Sequence, residues 1–443
     1  MWGPGIAAAC LRALAPVLLA VATPALAEDT VSYAVRKGDS LYALGQRYME
    51  RRDDWRIVQR LNRVGNPHRI PPGTRLTIPT RLLKGEPLTA RIIAFKGAAT
   101  LVPAAGPGAP LARGMAVLPG ALIETGASSF ATLELSNGSR IALPSNTRIR
   151  VRAMRRILLT GSVDFDFLVE QGRIETSVAP LKGAGDSYRI RTPIATAAVR
   201  GTNFRVGYEG GDAPSLTEVT EGTVGLAAGK ATADMAIEQG FGASASANGT
   251  VEKEALLPPP ELIEPGKVHT DPLVTLRLSA VSGARGYHVQ IARDAGFVEL
   301  EREATSPTPD LSFADIPNGR WFVRATAIAA SGLEGMPQNY TMRRVLAGIS
   351  ASAEQGTEGW RFAWSGSGSG KRLYHFILRP ERAQAPPLVD EPGLEADSIT
   401  LSDLPPGVYV WRVGLTQYED GDRVTNWLPP QRLIVSPDTT GKP

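Results

Sequence analysis

Cysteine is almost absent from this 443-residue chain, which has one, Cys10. It precedes an apolar run instead of following it, the wrong order for a lipid-modified cysteine. A disulfide framework is therefore excluded, and no thiolate metal site or pair of reactive thiols can be built. Histidine is scarce too: His68, His269, His288 and His375 are spread along the chain. No HExxH, GxSxG or GxxxxGK pattern occurs, so zinc-hydrolase, serine-hydrolase and phosphate-cradling chemistry have no support. No apolar run approaches the roughly 20 residues of a membrane-spanning helix. Charge of one sign does not dominate either. The 48 Lys and Arg and 44 Asp and Glu give +4 and are interleaved, so no nucleic-acid patch is expected. Arginine is densest over residues 47–69 and 148–156, which read as solvated charge on exposed faces. With 43% hydrophobic and 21% charged residues, the composition is ordinary for globular domains. The length favours about three of them.

Residues 1 to 27 carry Arg12, the apolar run Leu14 to Val21, and then Ala25-Leu26-Ala27. This order reads as a secretory signal peptide cleaved near Ala27, giving a soluble periplasmic chain that starts near Glu28. Such a chain keeps no cysteine and holds itself together by burial and hydrogen bonding alone.

The first module follows at once. Tyr33-Ala34-Val35 is a short strand, and Lys37-Gly38-Asp39-Ser40 a turn and helix cap. Leu41, Leu44 and Tyr48 recur at helical spacing. Asp53 or Asp54 caps a second helix with Trp55, Val58 and Leu61 on its apolar face, and Ile70 to Pro79 is a turn and a second strand. The phrases YAVRKGDSLYALGQRY, LN and IPPGTRLTIP resemble a LysM domain, a βααβ family that binds N-acetylglucosamine-containing glycans such as peptidoglycan. The resemblance places the sugar in a shallow groove. Gly38, Asp39, Ser40 and Leu41 would form one side and Arg69, Ile70 and Pro71 the other. Read singly, Asp39 and Ser40 serve equally as caps, Ile70 as core, and Gly38 as a turn residue.

From Met115 to Leu226 the chain alternates apolar and polar residues with a period of two, as in Ala131-Thr132-Leu133-Glu134-Leu135, broken by Gly and Asn-Gly turns. This predicts short strands throughout. Thr192-Pro193, Val199-Arg200-Gly201-Thr202 and Glu221-Gly222-Thr223-Val224 resemble the FecR domain of bacterial envelope proteins, which implies a coiled, solenoid-like β fold and a sensing or scaffolding role. Gly201 reads as a bulge or close backbone approach, with Arg200 paired to a carboxylate such as Glu221.

Ala243 to Gly249 and the stretch Leu257-Pro258-Pro259-Pro260 read as a linker over 243–268. Beyond it the chain repeats. Gly286 to Ile291 corresponds to Leu373 to Leu378, and Ile316 to Arg324 to Leu404 to Arg412, at offsets of 87 and 88. That period, with a turn before an aromatic strand, predicts tandem β-sandwiches over 269–346 and 347–437 that resemble fibronectin type III modules. Trp321, Tyr409 and Trp411 then belong to cores. The expected architecture is mainly β and multidomain: a small βααβ module at 28–80, a solenoid-like β domain at 90–242, and two sandwiches.

Asp164 and Asp166 flank Phe165 on one strand face. With no turn glycine or third ligand beside them, they read as a solvated face, not a calcium site or acid–base pair. No catalytic residue, metal site or cofactor is expected. The reading is a non-enzymatic periplasmic scaffold or signalling accessory: LysM anchors to peptidoglycan, and the β modules bind an envelope or membrane signalling protein. The alternative is a peptidoglycan-remodelling enzyme targeted by LysM.

Overall fold

The computed structural model describes residues 30–436 apart from 184, 230–234, 383–385 and 420. The expected signal peptide lies outside the described residues. Strands Thr30–Ala34 and Arg75–Pro79 pair antiparallel with Tyr33 opposite Leu76. Between them run helices Leu41–Tyr48 and Trp55–Leu61, joined through the 3₁₀ turn Arg52–Asp54. Ser40 caps the first helix, its Oγ accepting the Ala43 N–H at 3.1 Å. The second helix departs from expectation. The Asp54 carboxylate accepts the Arg51 N–H instead of capping the helix, and Leu61 points to solvent while Val58 is buried. The short helix leaves room for only one inward turn.

This module is seated on the next domain without a linker. Strand Gly85–Pro87 pairs with Arg155–Ile157, and Ile157 and Leu159 complete the apolar core formed by Leu41, Leu44 and Leu76. The Arg155 guanidinium donates to the carbonyls of Thr80 and Leu83.

From Gly85 to Ala255 the strand pairings close on themselves as a barrel of two faces around one core. Strand Val163–Ser177 belongs to both faces. It pairs with Arg148–Ile157 in its first half and with Asn203–Tyr208 in its second. Gly172 stands at the crossing with φ +86, where a Cβ would meet the Asn146 carbonyl oxygen at 2.6 Å.

Two expectations are corrected here. Residues 243–255 are not a linker: Phe241–Ala245 and Val251–Ala255 form the barrel's last hairpin, with Ala243 and Ala245 fully buried. Asp164 and Asp166 are buried, not solvated, because arginines on the two flanking strands meet them. Asp164 pairs with Arg155 and Arg189, and Asp166 with Arg191 at 2.9 Å. The arginines of 148–156 are accordingly partnered, with Arg148 and Arg150 on Glu124 and Glu170.

The first sandwich orders its larger sheet as Val268–His269, Gln338–Arg344, Gly319–Ala329, Ala284–Ala292, Leu300–Ser306 and faces it with Val274–Arg277 and Asp310–Phe313. The second repeats the plan, with Lys371–Pro380 and Gly407–Glu419 as the central pair. Trp321 and Tyr409 occupy equivalent core positions. Each donates to the carbonyl of a proline four residues earlier, Pro317 at 2.9 Å and Pro405 at 2.6 Å.

The first sandwich is docked on the barrel through a buried charge network. The barrel supplies Arg173, Arg205 and Glu218; the sandwich supplies His288, Glu303 and Glu334. The second sandwich is tied to the first by Asn318, whose side-chain amide donates to Glu419 at 2.6 Å and to the Ser369 hydroxyl at 3.3 Å.

Candidate glycan-binding groove

The turn before the first helix and the turn before the second strand face each other across a groove of about 550 Å³. Gly38, Asp39, His68, Arg69, Ile70, Pro71 and Pro72 line it. The structure thus brings together five of the seven residues that the sequence placed there. Gly38 holds φ +96 with open space where a side chain would stand, so a ligand can approach the peptide backbone itself. The Asp39 carboxylate is engaged in holding the turn, accepting the Tyr33 hydroxyl and the Arg36 N–H, both at 2.7 Å. Burial first, and then this carboxylate, push the Tyr33 hydroxyl up to about 12, so it remains a donor at any physiological pH.

Ser40 and Leu41 do not line the groove. The Ser40 hydroxyl is used as the helix cap, and Leu41 is fully buried. The Leu41 N–H still matters, because it donates to the Pro67 carbonyl at 2.8 Å and ties one wall to the other. Ile70 is 6% exposed and forms floor, while Pro71 and Pro72 are exposed. His68 and Tyr42 were missed by sequence reasoning. Their rings lie 6.0 Å apart at a tilt of 38°, with Tyr42 48% exposed, giving the groove an aromatic rim. The signal was present in principle: Tyr42 stands on the solvent side of the helix, off the apolar face of Leu41 and Leu44, where a large aromatic has no packing role. Backbone groups, an apolar floor and aromatic edges suit a neutral N-acetylated sugar better than an ion.

The other candidates resolve as structural ties. Arg200 donates to the Gly183 carbonyl at 2.8 Å and not to Glu221, which instead accepts from Asn203 at 2.6 Å. The segment before Gly183 runs beside Arg200 and Thr202, the Val178 and Leu181 N–H groups donating to the Thr202 and Arg200 carbonyls at 3.0 Å, so the Gly183 carbonyl is what the guanidinium meets. A Cβ at Gly201 would meet Pro180 Cα at 3.1 Å, and the Thr202 hydroxyl donates to the Thr223 carbonyl. Asp164 and Asp166 are each held by arginine and withdrawn from solvent, so neither can reach a substrate. Among the described residues, no group of three or more His, Cys, Asp or Glu is placed to hold a metal ion.

The docking network carries the largest electrostatic shifts. Burial drives the His288 imidazole down, but Glu334 and Glu303, each 3.2 Å from a ring nitrogen, outweigh it and raise it to about 10. Burial raises the Glu334 carboxyl, and Arg173, His288 and Arg205 overcome this to hold it well below the usual carboxylate range. The seam is therefore an ionised cluster, with the imidazole doubly protonated.

The LysM domain family matches residues 33–79, and the FecR protein family matches residues 121–225. Both are binding or regulatory families, not catalytic ones, and are typically extracytoplasmic. No curated protein matches the chain. Two crystal structures of a candidate anti-sigma factor from Parabacteroides distasonis align over 30% of this chain at 19% and 20% identity, with TM-scores of 0.26 and 0.25. The chain spans 59% of the length of those structures. A segment of two fibronectin type III domains from chicken tenascin aligns over 39% of this chain and 99% of its own, at 15% identity and TM-score 0.19. Fibronectin(III)-like modules of Clostridium thermocellum CbhA align over 40% and 94%, at 13% identity and TM-score 0.17. No helix among the described residues is long and apolar enough to cross a membrane.

Proposed function

We propose that this protein is a non-enzymatic scaffold or signalling accessory of the periplasm, anchored to peptidoglycan by its LysM module and holding an envelope or membrane signalling protein on its β modules. The groove between Gly38–Asp39 and His68–Pro72 carries the reading. It offers an unobstructed backbone, an apolar floor and an aromatic rim, which is what a chain of N-acetylhexosamines needs. The scaffold role is supported by how the modules are joined. LysM shares its core with the barrel through Ile157 and Leu159, and the barrel shares a buried charge network with the first sandwich. Position at the glycan is thereby passed to the β modules through a shared core and a shared charge network.

The test is co-sedimentation of the mature protein with purified peptidoglycan, with N-acetylglucosamine oligomers as competitor and soluble muropeptides assayed in the supernatant. Pelleting that the oligomers reverse, with no muropeptide released, is expected. Absence of pelleting removes the anchor. Release of muropeptides that survives repurification replaces the scaffold by a remodelling enzyme.

A further inference from the structure

The first sandwich receives the barrel on the outer face of its larger sheet. One cross-strand row there is Glu303, Gln290 and Arg324, and the adjoining row holds His288 beside Thr326. The Arg324 guanidinium lies 3.9 Å from the Phe297 ring centroid, and its Nη1 donates to both carboxylate oxygens of Glu175 of the barrel at 2.6 Å.

The second sandwich repeats this face row by row at the same offsets: Asp390, Ile377 and Arg412, then His375 beside Gly414. His375 Nε2 meets Asp390 at 2.5 Å, as His288 Nε2 meets Glu303 at 3.2 Å. The Arg412 guanidinium lies 4.4 Å from the Trp427 ring, as Arg324 lies on Phe297. Trp427 comes from the neighbouring strand and not from a loop. It lies against the sheet because its cross-strand partner is Gly414, where a Cβ would meet the indole at 2.7 Å. An arginine stacked on an aromatic ring has lost much of its rotamer freedom before any partner arrives.

The two faces differ in what covers them. The His288 side chain is 10% exposed beneath the barrel, whereas the His375 side chain is 31% exposed and Asp390 50%. Arg412 is exposed and, among the described residues, meets no carboxylate within ion-pair distance. Resting on the scaffold reading above, we propose that this face of the second sandwich is a docking surface for a β-sheet face of a different protein, which brings a carboxylate to Arg412 as the barrel brings Glu175 to Arg324. A second copy of this chain does not fit, because its Glu175 face is already closed by its own first sandwich. Preorganised arginine beside tryptophan is the composition of an interface centre.

The test places a photo-crosslinking amino acid at Ile377 in the full-length protein in its own cells, with a second position at Leu118, an exposed barrel residue, as reference. The expected product at Ile377 is an adduct with one heterologous protein whose crosslinked segment contains Asp or Glu. Arg412→Glu lowers its yield at least about tenfold, since like charges meet, and Arg412→Lys, which keeps the charge but loses the stacked guanidinium, lowers it by less. A homodimer adduct, a glycan adduct, or a protein adduct indifferent to Arg412→Glu overturns the proposal. Adducts at Leu118 but none at Ile377 overturn it while leaving the scaffold reading intact. No protein adduct at either position removes both.

Discussion

His288 stands at the seam of barrel and sandwich, where its two ring nitrogens meet Glu303 and Glu334 of its own module, the same carboxylates that Ser145, Arg173 and Arg205 of the barrel engage. Replacing it with alanine leaves Glu334 and Glu303 short of a cation. Breaking a buried pair typically costs about 3–5 kcal/mol, and the lower end applies here because Arg173 and Arg205 remain on Glu334. Denaturant unfolding at pH 7 should show that loss in His288→Ala. The pH dependence follows from the shifts. The imidazole is raised to about 10, so its contribution is complete below its ordinary value near 6.5 and is lost as pH climbs through 10. Glu334 and Glu303 are lowered, so their contribution is present above the ordinary carboxylate value of 4.5 and is lost as pH falls below it. Unfolding midpoints measured from pH 7 to 10.5 should therefore drop more steeply in the wild type than in His288→Gln. Equal slopes would mean that the imidazole is not charged in the fold. None of this was legible in the sequence, where His288 and His375 stood out only as repeat equivalents. The acids that meet His288 come from other strands, and the seam exists only once two domains touch.

At the scale of elements, the period-two pattern located the strands well but mistook which faces meet water. Thr132, a polar position of the Ala131-Thr132-Leu133 alternation, is only 4% exposed: the docked sandwich covers it, and its hydroxyl donates to the Val298 carbonyl there. The presumed linker at Ala243 failed for a related reason. Small residues there allow close approach rather than looseness: a Cβ at Gly242 would meet Leu256 at 2.8 Å and Leu333 at 3.0 Å. Composition alone cannot tell a thin strand under another domain from a spacer. Gly172 tests the element-level account. Alanine there must adopt φ near +86 and push on the Asn146 carbonyl, so Gly172→Ala should lower barrel stability by at least about 1–3 kcal/mol in a denaturant titration. Unchanged stability would show that the long strand can cross between faces without a glycine.

For the whole molecule, the module order was readable from LysM, FecR and sandwich phrases, while the way neighbouring modules share core residues and charges was not. The structure shows LysM, barrel and first sandwich sharing cores or charges, so excising residues 33–79 would strip Ile157 and Leu159 of their cover. Point changes on the groove rim are the sounder probe. Tyr42→Ala with His68→Ala should weaken peptidoglycan binding about tenfold, at roughly 1–1.5 kcal/mol for an aromatic contact, without changing the unfolding midpoint. The central claim is that the groove between the two turns holds the glycan. Backbone amide chemical shifts of the mature protein, followed during titration with an N-acetylglucosamine tetramer, test it most directly. The account predicts saturable shifts at Gly38, Asp39, His68, Arg69 and Ile70, with little change in the sandwiches. Shifts confined to other residues, or none at millimolar sugar, would contradict it.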